Sequence, residues 1–193
     1  MVVVLTGGPG GGKSSLIADV LADARLCERV VILPEAIHVA LRSSISPREP
    51  LFQRLLARVQ RGLEDAMVET LGPIDNRLIL THRGTLDPYA FCRARGWSDG
   101  EFWQVTGLAR DAEYARYAAV IHLVSTAIGV PQFYRHRPEE HRPETPEEAA
   151  ALDQYLTEVW SGHPCYHRIE NDTLEWPDKS RRALDLLRMV LTV

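Results

Sequence analysis

The chain has 193 residues, 45% apolar and 25% charged, an ordinary balance for a soluble globular protein and enough for one α/β domain with its own core. Its net charge of −4 argues against a general nucleic-acid binder, while leaving room for a local basic pocket. Cys27, Cys92 and Cys165 are too few and too scattered for a disulfide framework, and the apolar start stops at Leu5, too short for a membrane span, so a cytoplasmic protein is expected.

Residues 2–5 are a short apolar run suited to a buried parallel strand. Residues 7–14 follow as Gly-Gly-Pro-Gly-Gly-Gly-Lys-Ser and fill the pattern G-x-x-x-x-G-K-[ST]. Such a loop wraps a triphosphate in backbone N–H groups, here offered by Gly8, Gly10, Gly11, Gly12 and the start of the next helix at Ser15. Lys13 adds a point charge and the Ser14 hydroxyl suits Mg²⁺. Leu16, Ile17, Val20, Leu21 and Ala24 then recur with helical spacing.

Residues 29–35 read as a second buried strand ending in Pro-Glu, and residues 48–71 as a long amphipathic helix with Leu51, Phe52, Leu55, Leu56, Val59, Leu63 and Met67 as its stripe. Strand three is expected over 77–81. A loop punctuated by Gly84, Pro88, Gly96 and Gly100 leads to a helix near 101–117, and strand four covers 120–124. Residues 129–146, with five Gly or Pro among mixed charges, form a candidate lid. A helix over 147–160, a strand over 165–169 and a last helix over 178–192 complete the chain. Strands alternating with helices predict a parallel sheet covered on both faces, with ligands gathering at the carboxyl ends of its strands.

Glu35, His82, Arg83, Gly84, Asp87, Ser125, Thr126, Asn171 and Asp172 stand at or just beyond those ends. Glu35 is the candidate general base for an acceptor hydroxyl, or a ligand of Mg²⁺ or its water; the plainer reading is a helix N-cap. Arg83 can hold a phosphoryl group by two hydrogen bonds, or pair with Asp87. Asp87 can orient Arg83, meet substrate or cap a loop. Arg135, Arg137 and Arg142 are the lid arginines available to offset phosphoryl charge, with Arg142 favoured. Gln60 and Glu64, one turn apart, can meet an acceptor hydroxyl or base. Arg42, Arg48, Arg54, Arg58 and Arg61 either draw an anionic acceptor to the rim or form the wet face of a helix. His163, Cys165 and His167 share a strand face, yet a buried strand offers no evident zinc geometry.

Taken together, Thr6-Gly7-Gly8-Pro9-Gly10 through Lys13-Ser14, Leu33-Pro34-Glu35-Ala36, Arg83-Gly84 with Asp87, Arg116-Tyr117 before Val120-Ile121-His122-Leu123, Arg142-Pro143-Glu144 before Glu147-Glu148-Ala149, and Ile169-Glu170-Asn171 carry a resemblance. The chain resembles small AAA-type ATP/GTP-binding domains allied to nicotinamide-riboside kinase and to the deoxynucleoside and thymidylate kinases. The resemblance implies a single kinase-like domain over 1–193 with strand order 2-3-1-4-5, and ATP with Mg²⁺ as phosphoryl donor. It also implies Glu35 as base, Arg83 on the phosphates and Asn171 near the purine. His82 stands where the family usually has an acidic residue, and neutral imidazole is a poor ligand for hard Mg²⁺. The implied activity is phosphoryl transfer to a small hydroxyl-bearing acceptor such as a nucleoside, nucleotide or other metabolite. The alternatives are a triphosphate-dependent switch or ATPase module acting on a partner, and a chain that has kept the fold but binds nucleotide only vestigially. Asn-Lys-x-Asp, the guanine motif of Ras-type GTPases, is absent.

Overall fold

The computed structural model describes residues 1–135, 144–172 and 175–192. Five parallel strands, β1 (Val2–Thr6), β2 (Val30–Leu33), β3 (Leu78–His82), β4 (Ala119–Leu123) and β5 (Tyr166–Ile169), form one sheet in the order β2-β3-β1-β4-β5. β1 sits at the centre because all five of its residues are buried and none needs solvent on either face. Val4 pairs with Thr81 on one side and Val120 on the other, and Leu5 with His82 and Ile121. β2 and β5 are the edges; Val31 and Ile32 of β2 are therefore only half-buried, unlike the fully buried strand expected.

Strand alternation divides the core in two. Val2, Val4, Ile79 and Val120 face one side, packed by α3 (Pro50–Leu71), α4 (Asp87–Ala94), α5 (Asp99–Thr106) and α7 (Pro146–Trp160). Val3, Leu5, Leu80 and Ile121 face the other, under α1 (Lys13–Ala22) and α8 (Trp176–Val190). The short α2 (Ala36–Ala40) and α6 (Arg110–Tyr114) complete the helices among the described residues. This is the three-layer P-loop NTPase fold that the sequence predicts.

Two stretches differ from expectation. Residues 87–94 are helical, where a loop was expected, because Pro88 occupies the first turn, where its missing N–H costs no hydrogen bond. The helix expected near 101–117 is two helices: Gly107 takes a left-handed φ of 69° and ends α5, whose start is fixed by a capping box between Ser98 and Glu101. Of the candidate lid, residues 136–143 lie outside the described residues, and with them Arg137 and Arg142. Its stem is closed by the Tyr134 hydroxyl, which donates to the Glu144 carbonyl at 2.9 Å. Among the described residues no helix is long and apolar enough to cross a membrane.

Candidate active site

The carboxyl ends of β1, β2 and β3 open on a cavity of about 790 Å³ that runs from the glycine loop to the faces of α3 and α4. At the loop end, Lys13 is buried, and its ammonium donates to the carbonyls of Gly7 and Gly8 at 2.7 and 3.0 Å, which keeps the charge inside the loop. Gly12, at φ 97°, leaves no room for a side chain: a Cβ there would fall 2.1 Å from the Trp176 ring. Ser14 and Ser15 are exposed in the first turn of α1, where free N–H groups and the helix dipole favour an anion. Gly10, Gly11 and Gly12 line the cavity beside them; Gly8 does not.

Glu35 precedes α2 in the N-cap position, yet its side chain accepts no capping hydrogen bond. Instead one carboxylate oxygen lies 3.2 Å from His82 Nδ1, across the gap between β2 and β3, with both residues lining the cavity. The residue that departs from the family pattern is thus the neighbour of the candidate base.

Arg83 is the only non-glycine with positive φ among the described residues, at 75°. A side chain in that region costs about 1–3 kcal/mol and persists only where its surroundings hold it. Here they do. Arg83 N–H donates to the Leu5 carbonyl at 2.9 Å, and the Arg83 carbonyl accepts from the Thr81 hydroxyl at 2.7 Å and the Gln60 amide at 3.2 Å. The guanidinium donates to Asp87 Oδ1 at 3.0 Å and lies 5.0 Å above the Phe91 ring.

Asp87 is fully buried, and its two oxygens already accept from Thr6, Arg83, Gly84 N–H and Trp160 Nε1. Four donors leave no lone pair for a substrate, so of the three readings open for Asp87 the geometry keeps two, pairing with Arg83 and capping the loop through Gly84 N–H. Gln60 spends its amide N–H groups on Glu64, Thr81 and Arg83, and so braces the bend after β3. Glu64, wholly buried, is engaged by Gln60, Arg116 and Tyr117; burial raises its pKa and those partners oppose the rise. Asn171, expected near a purine, gives its amide to the carbonyls of Ser125 and Ile128 at 2.7 and 2.9 Å and accepts from Lys179, tying the turn after β4 to β5. Arg135 is exposed and lines the cavity near its mouth. His163 is spent on the carbonyls of Tyr114 and Tyr117, and the described residues hold no cluster able to ligate a metal through three His, Cys, Asp or Glu side chains.

One lining residue escaped the sequence reading. Gln53 on α3 is 3% exposed; its amide donates to the Pro47 carbonyl at 3.2 Å, while its carbonyl oxygen is buried with no hydrogen-bond partner among the described residues. A buried unsatisfied carbonyl costs about 1–3 kcal/mol, which sets Gln53 apart among the residues of the cavity wall. The signal was a polar stripe: Gln53, Gln60 and Glu64 share a buried face of α3 with Phe52 and Ala57, whereas Leu51, placed in the apolar stripe, is exposed.

The AAA domain family matches residues 2–178. The chain belongs to this family. No curated protein matches. Among solved structures, deoxyadenosine kinase from M. mycoides with bound dATP shares the fold at a TM-score of 0.63 and 13% identity, over 97% of this chain and 100% of that one. The same enzyme with dCMP and a flexible dCDP bound gives a TM-score of 0.59 at 13% identity, over 98% and 100%. The fold of a deoxynucleoside kinase therefore extends over essentially the whole chain.

Proposed function

We propose that the chain transfers the γ-phosphoryl group of ATP to a hydroxyl of a small, flat acceptor of the nucleoside class. The observation that carries this reading is the continuity of the cavity, which joins the glycine loop, the Glu35–His82 pair and the face of α3 that carries Gln53 in one space. A module that only binds or hydrolyses a triphosphate has no use for the far half of that space. Its walls there, including Leu41, Phe52, Leu56 and Phe91, suit a planar apolar body, and Gln53 suits an N–H donor on that body's edge. The kinase of like fold was solved with deoxynucleotides, which supports an acceptor of that class.

The residues divide the work as follows. The loop N–H groups and Lys13 hold the triphosphate. Glu35 accepts the proton of the acceptor hydroxyl as its oxygen bonds to the γ-phosphorus and the bond to the β–γ bridging oxygen breaks, releasing ADP. His82 holds the Glu35 carboxylate in place. Arg83, anchored by Asp87, offsets charge on the transferring group, with a cation of the lid adding to it when the mouth closes. Ser14, with Glu35 through water, offers the oxygen donors that Mg²⁺ requires, and the ion would supply charge neutralisation at the phosphates.

Incubating the protein with γ-labelled ATP, Mg²⁺ and single nucleosides tests the reading. Label appearing in one or a few acceptors is expected. ADP formed at one rate with every acceptor and with none overturns it in favour of a triphosphatase.

A further inference from the structure

Behind the glycine loop, outside the cavity, lies a buried polar chain that the proposed chemistry does not use. Asp153 on α7 and His122 on β4 are both wholly buried. One Asp153 oxygen accepts the Gly8 N–H at 2.7 Å and the Ser125 N–H at 2.9 Å. The other lies 3.1 Å from His122 Nε2, and the Tyr166 hydroxyl lies 3.0 Å from His122 Nδ1. Burial pushes the Tyr166 phenol up to about 12, so it remains a donor. With Tyr166 donating to Nδ1 and Nε2–H donating to Asp153, every member has a partner. Burial alone would raise the Asp153 pKa, but His122 and the two N–H groups outweigh it and hold the carboxyl below its usual range.

The contact is close by design of the sequence. A Cβ at position 8 would fall 2.9 Å from Asp153 Cβ and Oδ1, so only glycine admits α7 to this distance. The next two loop residues are held from the turn after β4: the Ser125 hydroxyl donates to the Pro9 carbonyl, and the Thr126 hydroxyl to the Gly10 carbonyl at 3.2 Å. Asp153 thus grips the loop directly and, through Ser125 N–H, the turn that grips its next residues. A glycine-rich loop loses much conformational entropy on ordering, and a tether that fixes it beforehand removes that cost from ligand binding.

We infer that Asp153 is a positioning residue for the triphosphate site, acting through Gly8 and Ser125, with His122 and Tyr166 fixing its orientation. This rests on the reading that the loop binds a triphosphate. Electrostatics alone predicts the opposite sign for its removal, since neutralising a carboxylate near a polyanion should tighten binding. The full chain carrying Asp153→Ala, which removes the acceptor of both N–H groups, and separately Tyr166→Phe, is titrated with ATP and Mg²⁺ by calorimetry, followed by KM for ATP and for the acceptor and by thermal melting without ligand. Expected are an ATP affinity weakened about ten-fold or more for Asp153→Ala and about two- to five-fold for Tyr166→Phe, with acceptor KM unchanged. Affinity equal to or tighter than wild type in a folded Asp153→Ala overturns the inference alone. So does a lowered melting point with unchanged ATP affinity. Should Asp153→Ala not fold, Tyr166→Phe decides: weaker ATP binding with unchanged acceptor KM supports the inference, and unchanged binding overturns it. Wild type without affinity for any triphosphate overturns the functional reading, and this inference with it.

Discussion

At the loop end of the cavity, the groups offered to a ligand belong largely to the main chain and come from one unbroken run, residues 9–15. At the far end they are side chains drawn from α2, α3, β3 and α4, separated by up to nearly a third of the sequence. The first half is held by neighbours behind it, so its geometry is set before a ligand arrives. The second is set by helix packing, and one of its polar groups, the Gln53 carbonyl, is buried with no hydrogen-bond partner among the described residues. A site of this kind can keep its donor constant while its acceptor drifts, because substitutions on α3 and α4 leave the loop untouched.

Four substitutions break or sharpen that contrast. The largest effect is expected from Lys13→Ala, which removes the buried ammonium from the loop and should weaken ATP about a hundred-fold or more by calorimetry. Glu35→Gln should leave ATP affinity within about two-fold and slow transfer about 10²–10⁴-fold in a single-turnover assay. If transfer is unchanged, the proton leaves by another route. Gln53→Leu acts on the far half alone. Acceptor KM should rise about ten-fold with the ATP KM unchanged, and the melting temperature should rise by about 2–4 °C as the unsatisfied carbonyl is removed. The smallest effect concerns Lys179, whose ammonium is buried against the Val124 carbonyl and Asn171, and whose pKa is lowered to about 8, chiefly by burial. The unfolded chain, with an ordinary lysine near 10.5, binds more protons across that window, so stability gained from this group rises from about pH 8 to 10.5 and is lost as pH falls through 8. Melting of wild type and Lys179→Met over that range should show the wild type gaining on the variant as pH rises.

The halves also differ in how far they can be read from sequence. The loop is a contiguous pattern flanked by an apolar run and a helical repeat, and the parallel order follows from alternation together with the family resemblance; all of it stands in the structure. Glu35 and Arg83, singled out because strand ends mark the rim, line the cavity. What escaped depends on rotation and register. Leu51 and Gln53 are two residues apart, and which of them faces inward is decided by how α3 seats on β3, where Gln60 reaches Thr81 and the Arg83 carbonyl. The burial of Asp87 was not legible either: Pro88 was placed in a loop, whereas it begins a helix, and Asp87 is met from inside by Trp160, more than seventy residues away. The partners of Asn171 are likewise carbonyls of the turn after β4, which no local pattern announces.

The central place of β1 bears on how the chain is made. β1 precedes both its partners in the chain and pairs Val3 with Leu80 on one side and Ala119 on the other, contacts of high sequence separation that must wait until those residues are made. Until then its unpaired edges are open to wrong partners. The loop at its end gains its supports later still, once Ser125 and Asp153 have been translated.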